Sequence, residues 1–415
     1  MKKHLWLVFA MLSIFLLVAC SEDSNESAST ETDSGVQEES SSGEAASSEP
    51  IKVGVLASLT GALESYGKQT KNGFELGLEY ATGGTMEVEG RKIEVVWEDT
   101  ETKPEVAVQK ATKLLEDDKV DFLVGSSSSG DTLAVLPLAE EYEKIMIVEP
   151  AVADSITGSE FNPYIFRTAR NSSQDAYAAA AAIAGEGVKI ATFAPDYSFG
   201  WDGVSAFKAA AEKLGAEIVH EEYADPAATD FTSNLQKIID AKPDFLFVVW
   251  AGANSPWNQI ADLKLQEKGI KISTGAPDII ALQFMEPLIG MEGFSVYHHT
   301  LPNNDLNDWL IKEHKARFDE VPDLFTPGGF TAAVAIVEAL KKSGGDADGN
   351  TLIPLMEGMS FETPKGTMTF RKEDHQALQT MYAIRLEKVA EFDYPVPVLI
   401  RELSPEETEP PIMNK

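Results

Sequence analysis

From Ile51 onward the chain alternates short apolar runs with amphipathic stretches, and this alternation leaves few folds open. Strands are expected at 51–57, 92–97, 122–124 and 145–148, each followed by a polar loop. Helices are expected at about 66–80, from Pro104 onward, and up to about Tyr142. Pro104 suits the first turn of its helix, where a missing N–H removes no hydrogen bond. Strands that are apolar throughout, and separated by helices, imply a parallel sheet covered on both faces. The pattern resumes after Ser173, with strands expected at 189–193, 217–220, 245–250, 270–273 and 293–297 and helices at 201–214 and 231–241. Two long helical stretches follow at 305–318 and 331–342, then a meander over 366–403. A body of about 350 residues exceeds what one core supports, so the fold class is α/β with two doubly wound parallel-sheet lobes. Ligands of such open sheets bind beyond the carboxyl ends of the strands, which makes the loops after them the candidate site.

The segment before Ile51 is built differently. Lys2 and Lys3 precede an apolar run over 5–19 that ends in Leu17-Val18-Ala19-Cys20, the layout of a secretory signal and too short for a comfortable bilayer span. Cys20 is the only cysteine in 415 residues. A small residue before a lone cysteine resembles the lipobox of bacterial lipoproteins, in which the signal is cut before the cysteine and its sulfur receives a diacylglyceryl group. Two acyl chains make a stable anchor. Residues 21–50 contain no aromatic residue and no positive charge, so they cannot bury enough apolar surface to offset ordering entropy and are read as a tether. The expected location is therefore the outer face of the cytoplasmic membrane. No disulfide is available.

The formal charge is −33; the first fifty residues hold nine acids and two lysines, so the remainder carries −26. Such a surface excludes nucleic acid as a partner and disfavours adsorption to anionic lipid. It suits a solubilised body facing a salty exterior, or, alternatively, a cationic ligand. No nucleophile elbow, Walker loop or dinucleotide fingerprint occurs at a strand-to-helix turn, so no enzyme activity and no cofactor are expected. None of His4, His220, His298, His299, His314 and His375 has a histidine partner at zinc-binding spacing, so no metal is expected. Gly125-Ser126-Ser127-Ser128-Ser129-Gly130 lies between a strand end and a helix start. There, hydroxyls and free amides can converge on an anion, although a plain solvated turn has the same composition.

Several segments match a known family in order and spacing. They are Ser58-Leu59-Thr60-Gly61 with Tyr66-Gly67 and Asn72-Gly73, Glu98-Asp99-Thr100 with Lys103-Pro104, and Gly125 with Ser128-Ser129. Glu149-Pro150-Ala151, Phe166-Arg167-Thr168, Tyr197-Ser198-Phe199-Gly200 and Gly275-Ala276-Pro277-Asp278 follow. From Ile51 to about Leu403 the chain resembles the type I periplasmic-binding proteins of the leucine/isoleucine/valine-binding family. The resemblance implies two lobes joined by three crossovers, closing on a small amino acid or related carboxylate and delivering it to the permease subunits of an ABC importer. A monomer is expected. The implied division is a signal over 1–19, Cys20 and a tether to 50, a first lobe of 51–168 plus about 302–365, a second of 169–301 plus about 366–405, and a tail over 406–415.

Carried over by position, Ser128 and Ser129 match the serine that holds the ligand carboxylate, helped by amides at Ala151, Val152 and Ala153. Ala153 departs from the family's frequent threonine and loses a hydroxyl. Tyr66 matches an aromatic wall of the first lobe, and Phe199 stands where the second lobe often has tyrosine; both also fit a core role. Asp278 falls where the family places the partner of a ligand ammonium, and equally suits the cap of a helix beginning near Ile279. Trp250 follows a strand and is expected to line the second lobe. Phe330 is a candidate for cleft or core. A ligand-sensing surface lipoprotein, or a surface enzyme, remains the alternative use of the same lobes.

Overall fold

A computed structural model describes residues 49–252 and 254–415. The signal, Cys20 and nearly all of the tether lie outside the described residues. The first sheet contains β1 (Ile51–Ala57), β2 (Glu87–Val88), β3 (Arg91–Asp99), β4 (Phe122–Gly125), β5 (Ile145–Val148) and β6 (Ile165–Arg167), in the order β2-β3-β1-β4-β5-β6. All its pairings are parallel except the short β2–β3 hairpin. Helices α1 (Glu64–Ala81), α2 (Pro104–Glu116) and α3 (Ser129–Glu141) connect its strands. Pro104 sits in the first turn of α2, as its spacing implies.

The second sheet is β7 (Lys189–Pro195), β8 (Glu217–Ala224), β9 (Phe245–Val248) and β10 (Lys271–Thr274), parallel in the order β10-β9-β7-β8. It is flanked by α4 (Ser172–Ile183), α5 (Ser198–Lys213), α6 (Thr232–Ala241) and α7 (Trp257–Asp262), with the single turn α8 (Ile279–Leu282) near its cleft edge. The expected fifth strand of this sheet behaves differently. β11 (Glu292–Ser295) meets the end of β10 through an isolated bridge between Gly275 and Phe294 and a hydrogen bond from the Ser273 hydroxyl to the Glu292 carbonyl, and its main partner is an antiparallel strand from the end of the chain.

After β11 the chain returns to the first lobe as α9 (Asp305–Phe318), α10 (Thr326–Ser343) and α11 (Gly349–Met356). It adds β12 (Ser360–Thr363), β13 (Gly366–Phe370) and β14 (Ala377–Leu378), and then finishes in the second lobe with β15 (Met381–Glu387) and β16 (Val396–Leu403). The lobes are thus joined after β6, after β11 and after β14. The last crossover falls later than the expected boundary near 366. Met368, Phe370 and Ala377 are buried with Val55, Phe122, Ile147 and Phe166 in the first core, because β13 pairs back onto β12. No helix among the described residues is long and apolar enough to cross a membrane.

Candidate functional site

Both lobes project an aromatic side chain into the cleft by the same local device. In the first lobe β1 ends at Ala57, and its loop is pinned by Asp99 at the end of β3. Asp99 accepts the Leu59 amide at 2.9 Å, the Thr60 amide at 3.2 Å and the Thr60 hydroxyl at 2.6 Å. Burial alone would raise the Asp99 carboxyl, but these donors, with the Glu101 amide at 2.9 Å, outweigh it and hold it below the ordinary range. Two of the sequence segments are therefore one structure, a pair of loops stitched together at the strand ends. Gly67 then lets α1 rest on the strand end, since a Cβ there would lie 2.1 Å from the Ser58 carbonyl oxygen. The preceding residue, Tyr66, is aimed into the cleft. In the second lobe, a Cβ on Gly200 would lie 1.9 Å from the Pro195 carbonyl oxygen, and Phe199 takes the corresponding place.

These side chains meet in one cavity. Tyr66, Ser127, Ser129, Ala151 and Val152 come from the first lobe, and Tyr197, Phe199, Trp250 and Phe294 from the second. Arg170 and Asp175 join them from the first crossover and α4, and Phe325 from the loop before α10. The Tyr66 and Phe325 rings pack with centroids 4.2 Å apart and planes tilted by 50°. Arg170 Nε donates to Asp175 Oδ1 at 3.2 Å, and its guanidinium lies 5.7 Å from the Phe325 ring centre. Burial pushes the Asp175 carboxyl up, against the pull of Arg170. Behind this pair, Glu149 is raised to about 7 by burial and Lys365 is lowered to about 7 by burial and by Arg170.

The lobes are closed on one another. Asp202 Oδ2, on α5, accepts the Ser155 amide at 2.9 Å and its hydroxyl at 2.8 Å from the first lobe. Ser173 at the start of α4 donates its amide at 3.0 Å and its hydroxyl at 2.6 Å to Asp154. At the opposite edge Asp323, before α10, accepts the Ile279 amide of α8 at 3.2 Å. Tyr66 lies against the backbone of Gly252.

The residues singled out from the sequence divide into two groups. Tyr66, Ser129, Ala151, Val152, Phe199 and Trp250 line the cavity. Ser128, Ala153, Asp278 and Phe330 do not. Ser128 is turned toward Asp131, whose carboxyl burial lifts to about 6. Ala153 is fully buried; its carbonyl accepts Arg167 Nη1 at 2.7 Å and its amide donates to Ser129 Oγ at 3.2 Å. The Val152 amide reaches the same Ser129 oxygen at 3.4 Å. Two of the three amides expected to receive a carboxylate, those of Val152 and Ala153, are therefore occupied by Ser129 itself, which keeps its hydroxyl proton for another acceptor.

Asp278 caps α8 by accepting the Ala281 amide at 2.8 Å, and it faces an adjoining cavity beside Ser65. Phe330 is buried in the first core, with partly exposed Tyr80 and Trp309 packed against it at centroid distances of 5.4 Å and 6.0 Å, because α10 turns this face onto α1. Sequence reasoning missed Arg170, Asp175, Tyr197, Phe294 and Phe325. Arg170 had a usable signal, since it lies just past the end of β6, where such sheets place ligand contacts. Phe325 had none, being brought to the cleft by the return of the chain.

A family model described as periplasmic binding protein matches residues 50–391. The chain is 25% identical over 360 residues to a Leu/Ile/Val-binding protein homolog of Brucella abortus, covering 84% of this chain and 90% of the relative. Among solved structures it is similar to an ABC-type branched-chain amino acid transporter protein of Rhodopseudomonas palustris CGA009. The identity is 48% with a TM-score of 0.77, covering 88% of this chain and 100% of the other. A solute-binding protein of an ABC transporter from Rhodopseudomonas palustris BisB5, solved with 3,4-dihydroxybenzoic acid, is 31% identical with a TM-score of 0.76, covering 86% of this chain and 98% of the other.

Proposed function

This chain belongs to the leucine/isoleucine/valine-binding family of periplasmic binding proteins, and we propose that it captures a small amino acid or related carboxylate for an ABC importer by closing two lobes on it. The observation that carries this reading is a cavity lined from both lobes, with Tyr66 and Ser129 on one side and Phe199 and Trp250 on the other. Relatives that transport branched-chain amino acids or bind an aromatic acid support the same class of cargo. Docking to the first lobe and subsequent closure would strip water from every polar contact, so affinity follows from which groups are left paired. Nothing in this scheme requires turnover of the ligand. A thermal-shift screen against amino acids and small carboxylates tests it: at least one raises the melting temperature, as a ligand of the native state must. A melting temperature unmoved by the whole panel overturns the assignment.

Two further outcomes follow. Asp202→Ala removes two hydrogen bonds made across the closed lobes and is expected to weaken ligand binding about tenfold, through faster release. Stopped-flow dissociation of a ligand found in the screen measures this, and an unchanged rate would show that the contact does not hold the lobes shut. The second outcome concerns attachment. On this reading Cys20 carries the lipid that keeps the protein beside its permease, where tethering raises the effective concentration. Cys20→Ser is expected to move the protein from the membrane fraction to the medium with ligand affinity intact; retention on the membrane would refute the anchor.

A further inference from the structure

Arg170 is the only cation among the described residues that line the closed cavity. Its Nε is taken by Asp175 at 3.2 Å, while neither Nη atom donates to any protein acceptor among the described residues. The side chain is nonetheless nearly buried, at 8% exposed. A guanidinium desolvated to that degree, on the wall of the cavity and with no hydrogen bond to its terminal fork beyond the electrostatic pull of nearby Glu149, lacks the acceptors that such a group ordinarily finds. A carboxylate matches the fork with two parallel hydrogen bonds. The Ser129 hydroxyl, spared by the amides of Val152 and Ala153, supplies a third donor on the same cavity wall.

The cavity offers much less to an ammonium group. Asp175, its only acidic lining residue, is already paired with Arg170, and Asp278 is committed to the first turn of α8 in the adjoining cavity. An ammonium would be stripped of water and would have to compete with Arg170 for one carboxylate. What the walls offer instead is ring surface. Tyr66 and Phe325 pack together as tilted rings on the first-lobe side, and Tyr197, Phe199, Trp250 and Phe294 line the cavity from the second. Flat faces of this kind suit a planar ring better than a branched aliphatic chain.

We propose that Arg170 is the specificity-determining residue of the cleft, and that it holds the carboxylate of an aromatic monocarboxylate without an ammonium group, with the ring between the aromatic walls. Asp175 acts as a positioning residue that orients the guanidinium through Nε. The inference rests on the reading of the cleft as the ligand site.

Titration calorimetry with benzoate, 4-hydroxybenzoate, L-leucine and L-phenylalanine on the unaltered protein decides the ligand class, independently of how any variant folds. Benzoate or 4-hydroxybenzoate is expected to bind, and more tightly than either amino acid. Arg170→Gln should then weaken that binding about thirtyfold or more, and Arg170→Lys should restore part of it without restoring the paired geometry. Tighter binding of leucine or phenylalanine than of both benzoates overturns the inference while leaving solute capture standing. So does benzoate affinity unchanged in a folded Arg170→Gln protein. Binding of none of the four, together with a blank thermal-shift screen, overturns both readings.

Discussion

Replacing Arg167 by leucine should cost about 3 kcal/mol or more of stability, because three buried acceptors lose their donor at once. Arg167 is fully buried, and each arm of its guanidinium has a separate task. Nε donates to Gln376 Oε1 at 2.6 Å, Nη1 to the Ala153 carbonyl at 2.7 Å, and Nη2 to the Thr157 hydroxyl. One side chain therefore ties the end of β6 to the turn before β14 and to the loop over 151–157 that meets Ser129. Leucine would leave those acceptors buried and unpaired, at about 1–3 kcal/mol for each group without a replacement partner. Burial lowers the Arg167 guanidinium only to about 10, so it remains charged at neutral pH. Urea unfolding measures the loss through its midpoint. An unchanged midpoint would mean that this network is not what holds the loop.

Ligand affinity is expected to fall as pH rises from about 5 to about 7.5, by about tenfold or more. Asp323 sits where the lobes meet, accepting Gln69 Nε2 at 3.0 Å from its own lobe and the Ile279 amide at 3.2 Å from the other. In the closed form its carboxyl is raised to about 7, by burial first and then by the Asp278 carboxylate across the interface. Burial raises Asp278 as well. Opening would return Asp323 toward the ordinary carboxyl range near 3.9. Closure then takes up a proton, so its stabilisation is fully present below the open-form value and is lost as pH rises through the closed-form value. Above that the profile levels off. Asp323→Asn should flatten it, as read by titration calorimetry at several pH values. Affinity that rises with pH, or a slope untouched by the substitution, would contradict the mechanism.

Much of the fold was legible because parallel strands buried on both faces announce themselves as unbroken apolar runs. β5 falls at Ile145–Val148 as expected, and β7 exceeds its expected range by only two residues. Helices without a polar face were harder to read. α4 contains Ala178-Ala179-Ala180-Ala181-Ala182, which carries no amphipathic stripe, and it was not anticipated. α10 begins at Thr326, earlier than expected, because Pro327-Gly328-Gly329 reads locally as a turn. The reason for Gly329 is tertiary: a Cβ there would lie 2.0 Å from the Thr70 carbonyl oxygen of α1.

The site divides in the same way. Tyr66 and Phe199 could be found because each matches a family position, in a segment where it immediately precedes a glycine at a strand-to-helix turn. Ser128 and Ser129 are adjacent in sequence, and only the start of α3 decides which of them faces the cavity. Asp278 illustrates a residue type with two ordinary uses, and the α8 cap takes precedence here. Arg170 has only its place past β6 to mark it, and its pairing with Asp175 reads as an ordinary surface ion pair until burial shows that they share a cavity.

Closure of two lobes on a solute is the central claim, and small-angle X-ray scattering tests it most directly. Saturating ligand is predicted to lower the radius of gyration and to bring the measured profile to the one calculated for the closed lobes described above. A ligand that binds by calorimetry while leaving the scattering profile unchanged would contradict the account.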